Sequence, residues 1–290
     1  MKIARIAHQG ADRLAVEDEG VWRFLRQTDL AAIAAGEVPE IDDSLDPCQE
    51  PDFLAPYPGG AIFGIGLNFV DTIRDMGFAT PQAPYLFPKL ASSITGPGKP
   101  IVVDEVLTTE VDWEGELAVI IGKKARNIPE DEALSVVFGY TAANDISARD
   151  LQRSDSQWVR GKGLDTFCPI GPFIVTNDEI PDPQNIRIRT WVNGETVQDG
   201  NTRDMLFGVR FLIAYLSRHF TLQPGDMILT GTPAGCGGFM SPPRFLFPGD
   251  QVAVNVEAIG TLTNPVTAAP TRGLRTEPGL PRFDGSLPAT

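Results

Sequence analysis

Asp112-Trp113-Glu114-Gly115-Glu116-Leu117-Ala118-Val119-Ile120-Ile121-Gly122 is the stretch whose reading decides the fold of this chain. It begins polar and runs into an unbroken apolar series, the pattern of a strand entering a buried sheet. Side chains alternate faces along a strand, so Glu114 and Glu116 project the same way, roughly 6–7 Å apart. Two carboxylates that close repel unless a proton or a cation sits between them. A hard divalent ion with oxygen ligands, Mg²⁺ or Mn²⁺, would relieve the repulsion. The plain alternative is a pair of solvated glutamates at a strand start.

Working outward, a third carboxylate follows in Phe138-Gly139-Tyr140-Thr141-Ala142-Ala143-Asn144-Asp145-Ile146-Ser147-Ala148-Arg149-Asp150. Asp145 ends a largely apolar strand and precedes a charged turn, where its side chain can enter a cleft shared with Glu114 and Glu116. Cations then crowd an otherwise acidic chain: Arg149, Arg153, Arg160 and Lys162, with Gln152 among them. Cations beside a carboxylate-bound metal suit an anionic substrate, since Arg grips a carboxylate and Lys steadies an enolate. Arg149 can equally pair with Asp150 or with a ligand carboxylate as scaffolding.

These stretches, with Lys162-Gly163-Leu164-Asp165-Thr166-Phe167-Cys168-Pro169-Ile170-Gly171-Pro172 and Thr230-Gly231-Thr232-Pro233-Ala234-Gly235, resemble in order and spacing the fumarylacetoacetate hydrolase family. The resemblance covers about residues 60–266 and leans towards the acylpyruvate hydrolase, or 2,4-diketo acid hydrolase, branch. It implies one Mg²⁺ or Mn²⁺ per subunit, held by Glu114, Glu116 and Asp145. It also implies Arg149, Gln152 and Lys162 lining the pocket, Lys89 on its approach, and Thr232 receiving a substrate carboxylate. The bland reading of Lys89 is a solvated cation at a strand end.

The implied fold is mostly β, an α+β arrangement with a curled mixed sheet or roll and peripheral helices. A small N-terminal domain would span 1–55, the catalytic domain 56–266 and an extended tail 267–290. A homodimer is the family's default assembly.

One family feature is altered. The family's lid reads roughly N-Y-x-x-H-x-x-E, and its His–Glu pair is held to activate the attacking water. Here the stretch is Asn68-Phe69-Val70-Asp71-Thr72-Ile73-Arg74-Asp75, so Thr72 and Asp75 stand in place of that pair. Imidazole is the natural base near neutral pH, and threonine cannot abstract a proton unaided. Asp75 is the substitute base, or else a residue that only caps the lid. The remaining histidines, His8 and His219, read as structural and as a helix-end residue.

The expected activity is therefore metal-dependent hydrolysis of a C–C bond in a 1,3-dioxo or 2,4-dioxo acid, through an enolate steadied by Lys162. The first rival is β-keto acid decarboxylation or keto–enol isomerisation on the same scaffold. The second is a non-catalytic metal- or dicarboxylate-binding relative.

Composition fits a globular enzyme. With 42% hydrophobic residues and no long apolar run, the chain has an ample core and no membrane span. A net charge of −14 argues against nucleic acid and anionic membranes as partners. The start, Met1-Lys2-Ile3-Ala4-Arg5, lacks a signal-peptide core, and Cys48, Cys168 and Cys236 are odd in number and scattered. Reduced thiols and a cytoplasmic location are expected.

Local patterns predict short strands at Lys2–His8, Arg13–Glu17 and Gly20–Leu25, a helix over Leu30–Ala35, and strands at Ala61–Gly66 and Ile101–Val103. A helix is predicted over Pro129–Phe138, and a second, capped by Thr202, over about Arg203–Phe220. Asn193-Gly194 marks a hairpin between Arg187–Val192 and Glu195–Gln198.

Overall fold

The computed structural model describes residues 1–57 and 59–270. Strand Gly115–Ile121 is buried along its whole length. Its two faces meet different partners, which is why its sequence is apolar without alternation. Leu117, Val119 and Ile121 pack towards Ile188, Val254, Val256 and Leu262 of a second sheet, and towards Leu212, Ile213 and Leu216 of a helix. Ala118 and Ile120 pack on the opposite side with Ile3, Leu14, Leu30 and Ile33 of the N-terminal region.

Around this strand the main sheet runs, in spatial order, Val21–Phe24, Ala11–Asp18, Lys2–His8, Cys168–Thr176, Val137–Asn144, Gly115–Ile121, Met227–Leu229, Ile62–Gly66 and Tyr85–Lys89. Neighbours are antiparallel except Met227–Leu229 with Ile62–Gly66, which are parallel. The N-terminal strands form a small sheet region that joins the rest where Lys2 faces Val175 and Ile3 faces Ile174. A second sheet runs Glu195–Asn201, Arg187–Val192, Gln251–Val256, Gly260–Ala268 and Ile101–Val103. The fold is thus α+β and mostly strand, as expected. Among the described residues, no helix is long and apolar enough to cross a membrane.

The Asn193-Gly194 hairpin forms as read, with both residues at positive φ (52° and 81°), the geometry that matches strand twist. The helix at Leu30–Ala34 is capped by Asp29, whose carboxylate accepts from Ala31 N–H. Two predicted helices differ. Over 129–138 only a 3₁₀ run, Glu130–Val136, forms, and Val137 already belongs to the next strand, facing Ile121. The carbonyl of Val136 accepts from Gly122 and Lys123, so sheet pairing claims the end of the segment. Thr202 starts only a 3₁₀ turn, Thr202–Asp204, and the α-helix is Val209–His219. Between them, the N–H groups of Leu206 and Phe207 donate to the backbone and side-chain oxygens of Asn68, which holds this backbone out of a helix. Of the expected tail, 267–268 end the strand Gly260–Ala268, and 271–290 lie outside the described residues.

The two sheets approach most closely at the E-x-E element. Gly115 N–H donates to Gln198 Oε1 at 2.9 Å, from one sheet to the other. A Cβ on Gly115 would lie 2.2 Å from Thr190 Oγ1 and 3.1 Å from Val254 Cγ1. Only glycine lets the strand start between the two glutamates so near the second sheet. Gly115→Ala is therefore expected to cost about 1–3 kcal/mol through overpacking. A lowered denaturation midpoint in urea would register it, and an unchanged midpoint would show that the sheets can part there without cost.

Candidate metal centre and cavity

Glu114, Glu116 and Asp145 converge from two neighbouring strands, with one oxygen of each lying within 4.8 Å of the others. Register explains the meeting. Gly115 faces Asn144 and Glu116 faces Ala143, so the end of one strand delivers Asp145 beside the start of the other. The N–H of Asp145 donates to the carbonyl of Glu114 at 2.8 Å, and Asn144 Oδ1 accepts from Glu114 N–H at 2.9 Å. All three carboxylates are buried, and Asp145 is wholly so.

Cations hold them. Lys162 Nζ lies 2.8 Å from both Glu114 Oε2 and Asp145 Oδ2. Lys89 Nζ lies 2.5 Å from Asp145 Oδ1, and Arg149 Nη2 lies 2.7 Å from Glu114 Oε1. Burial raises the proton affinity of Asp145, but Lys162 and Lys89 outweigh it and hold the carboxyl below its usual range. Burial likewise works against the charge on Lys162, yet Asp145 and Glu114 outweigh it and the ammonium keeps its proton more tightly than usual.

Glu116 is different. It accepts one backbone N–H, from Gly231 at 2.8 Å, and among the described residues it forms no ion pair, Lys162 acting on it only in part. Burial, then the charges of Asp145 and Glu114, push its carboxyl well above the usual range. Counting Asp112, the cluster sets four buried carboxylates against three cations, and the uncompensated one is Glu116. That imbalance, and the hard oxygen donors, fit a divalent cation such as Mg²⁺ or Mn²⁺.

The carboxylates open onto a cavity of about 330 Å³ lined by Glu114, Arg149, Gln152, Lys162, Thr232 and Thr72, among others. Of the residues named from sequence, the cavity wall and its buried backing thus gather nine: these six with Glu116, Asp145 and Lys89. Asp75 is the exception. It is exposed, on the short helix Val70–Asp75, and lines a separate 130 Å³ cavity with Cys236 and Met240. Thr72 lies between the two cavities. Its hydroxyl donates to Thr232 carbonyl at 2.7 Å, fastening the lid to the Thr230–Pro233 turn. His8 packs on Phe24, and His219 sits beside Tyr215 in the last helical turn; neither lines the cavity.

Sequence reasoning missed several contributors. Trp158 lines the cavity and packs on Tyr85 and Phe87, with ring centroids 4.4 and 5.5 Å away. Gln198, read as hairpin scaffold, donates to Thr232 Oγ1 at 2.8 Å and to Pro233 carbonyl at 2.7 Å, clamping the turn whose glycine N–H orients Glu116. Asn68 ties the lid root to Thr230 carbonyl and to Phe207. The signal for the last was its match to the opening asparagine of the lid stretch 68–75.

The uncompensated Glu116 has a measurable consequence. Its folded-state proton affinity exceeds the unfolded one, so the folded chain binds a proton that the unfolded chain releases. Its contribution to stability is therefore present at low pH and is lost as pH rises above about 4.5, the ordinary value, through the raised range. Without added metal, Glu116→Gln should raise the melting temperature at pH 8 and leave it little changed near pH 5. In the parent protein Mn²⁺ should raise the melting temperature more at pH 8 than at pH 6, and in the variant this gain should vanish. An equal Mn²⁺ response in parent and variant would count against Glu116 as a ligand.

Comparison with known proteins agrees with this geometry. Residues 61–267 match the family model described as fumarylacetoacetate (FAA) hydrolase C-terminal. A mitochondrial oxaloacetate tautomerase of Xenopus laevis is 50% identical over 207 residues, 71% of this chain and 65% of the relative, so the match spans just under two thirds of that protein. The solved fumarylacetoacetate hydrolase of psychrophilic Exiguobacterium antarcticum superposes with a TM-score of 0.85 at 41% identity, covering 93% of this chain and 100% of that one. A solved maleylpyruvate hydrolase of Sphingobium, in complex with manganese(II) and pyruvate, gives 0.75 at 27% identity over 93% of this chain and 100% of that one. The chain belongs to the fumarylacetoacetate hydrolase family.

Proposed function

We propose that this chain is a divalent-metal-dependent keto–enol tautomerase of a small 2-oxo dicarboxylic acid, with oxaloacetate the first substrate to test. The reading departs from the C–C hydrolysis expected of an acylpyruvate hydrolase and takes up its isomerase rival. The observation that carries it is the lid. Thr72, where the family's histidine is expected, commits its hydroxyl to Thr232 carbonyl, and Asp75 lies on the neighbouring cavity. The lid residues on the main cavity are Thr72, Met76 and Phe78, none of them a base that could activate water. The identity to an oxaloacetate tautomerase of Xenopus laevis supports the same reading.

Tautomerisation asks for less than hydrolysis. A proton passes from the carbon between the two carbonyl groups to a carboxylate of the cavity wall, Glu114 or Asp155, and a proton is returned to the 2-oxo oxygen; no C–C bond breaks and no water is consumed. A Mg²⁺ or Mn²⁺ held by Glu114, Glu116 and Asp145 would polarise the oxo group. Lys162, aimed by Glu114 and Asp145, supplies an ammonium donor at the cavity wall for the oxygen that gains charge. Its position 4.9 Å from the Phe87 ring centroid limits how far it can swing. Arg149 is engaged on three sides, by Asp112, Glu114 and Gln152, so it acts here as a fixed positive charge and not as a free carboxylate clamp.

The deciding experiment follows oxaloacetate by enol absorbance and by NMR with Mn²⁺, beside an acylpyruvate. Faster keto–enol exchange without carbon dioxide, and an intact acylpyruvate, are expected. Pyruvate plus a second carboxylic acid from the acylpyruvate would restore the hydrolase reading, and carbon dioxide from oxaloacetate would make the protein a decarboxylase. No change in either substrate, with Mn²⁺ bound, would leave a binding protein. Lys162→Met should lower kcat by about 10²–10³-fold, the scale of losing one oxyanion donor, without weakening Mn²⁺, since a competing cation is removed. Asp75→Asn should keep kcat within about twofold of the parent, given that surface substitutions away from a site change little.

A further inference from the structure

Asp112 is fully buried at the start of the E-x-E element, yet it faces none of the substrate groups discussed above. Its Oδ1 accepts from the N–H of Trp113 at 2.8 Å and of Gly237 at 2.7 Å. Its Oδ2 accepts from Gly238 N–H at 3.0 Å and from Arg149 Nε at 2.8 Å. Arg149 Nη2 also forms an ion pair with Glu114 Oε1 at 2.7 Å without the alignment of a hydrogen bond, and the Phe239 ring lies 5.1 Å from the guanidinium carbon. A buried carboxylate with four donors is fixed in place, and it fixes whatever those donors belong to.

We propose that Asp112 is a positioning residue for the metal ligands: it divides the charge of Arg149 between itself and Glu114, and anchors the 237–239 turn against the same guanidinium. The physical reasoning concerns charge. Arg149 is buried, and with Asp112 present its charge is shared between two carboxylates. Without the charge on Asp112, the full attraction of Arg149 falls on Glu114, which becomes a poorer donor to a cation. The cluster also loses one negative charge close to where a dication would bind. Both effects weaken the site, and outer carboxylates that orient a ligand typically change metal affinity by 10–100-fold.

Gly238 offers a second handle. A Cβ there would lie 3.1 Å from Arg149 Cγ and 3.2 Å from Asp112 Oδ2, close enough to push the two apart without removing a charge. The proposal rests on the metal reading of Glu114, Glu116 and Asp145, and not on the identity of the reaction.

The test is a titration of the full chain with Mn²⁺, reading the free ion by electron paramagnetic resonance, with melting temperatures recorded alongside. Asp112→Asn should raise the Mn²⁺ dissociation constant about tenfold or more, and Gly238→Ala severalfold. If both variants bind Mn²⁺ within twofold of the parent while only their melting temperatures fall, Asp112 serves folding alone and the proposal is wrong. Should Asp112→Asn not fold, the Gly238→Ala titration decides by the same criterion. A parent protein that binds no Mn²⁺ would overturn the metal reading itself, a result distinct from unchanged affinity in the variants.

Discussion

One unbalanced charge governs the centre of this protein. Four carboxylates are buried against three cations, and Glu116 is the one left with a single backbone N–H as its partner. A carboxylate in that position cannot stay both ionised and alone, because desolvation and two like charges act on it together. It either holds a proton or shares a cation. The other three carboxylates are paired with Lys89, Arg149 and Lys162, so Glu116 alone carries the imbalance that a dication would relieve. Such pre-organisation limits the rearrangement that metal binding must drive.

The fold supplies the rigidity that this arrangement requires. Ligands on flexible loops would separate under their own repulsion. Here Glu114 and Glu116 flank the first residue of a strand covered on both faces, and Asp145 follows the last residue of its antiparallel neighbour. Gly115 brings the second sheet within hydrogen-bonding reach through Gln198, and Gln198 then clamps the Thr230–Pro233 turn. The turn in turn donates Gly231 N–H to Glu116. Main sheet, second sheet and turn thereby form one hydrogen-bonded frame around the carboxylates, with helix Val209–His219 packed behind as core.

Much of this was legible because the signals are local. Alternation along a strand put Glu114 and Glu116 on one side, an aspartate ending an apolar run could share their cleft, and the resemblance implied that the three hold a metal. The three strands at the N-terminus and the Asn193-Gly194 hairpin likewise follow from short patterns. What escaped reading depends on contacts between distant segments. Asp112 looks like the polar start of a strand until Gly237 and Gly238 fold over it from across the chain. The segment after Thr202 has helical periodicity, but Asn68, far away in sequence, claims its N–H groups. Over 129–138 the acidic opening suited a helix, and the pairing of Val137 with Ile121 decided otherwise. Propensity lost to tertiary hydrogen bonding in both cases.

The lid shows why a change of chemistry need not change the site. Where the resemblance places a histidine, the lid carries Thr72, whose hydroxyl is tied to the carbonyl of Thr232. The substitution exchanges a proton acceptor for a clasp. Asp71 adds to the clasp by accepting from Ala234 N–H at 3.2 Å. The lid is thus fastened at two points, and Met76 and Phe78 are its apolar contribution to the cavity wall. Beneath the lid, Lys162 stays paired with Glu114 and Asp145 beside Glu116, the arrangement on which the proposed enolate stabilisation draws, while the lid residues on the main cavity are Thr72, Met76 and Phe78. The proposed isomerisation rests on that separation between a buried charged cluster and a lid that offers the main cavity no carboxylate or imidazole.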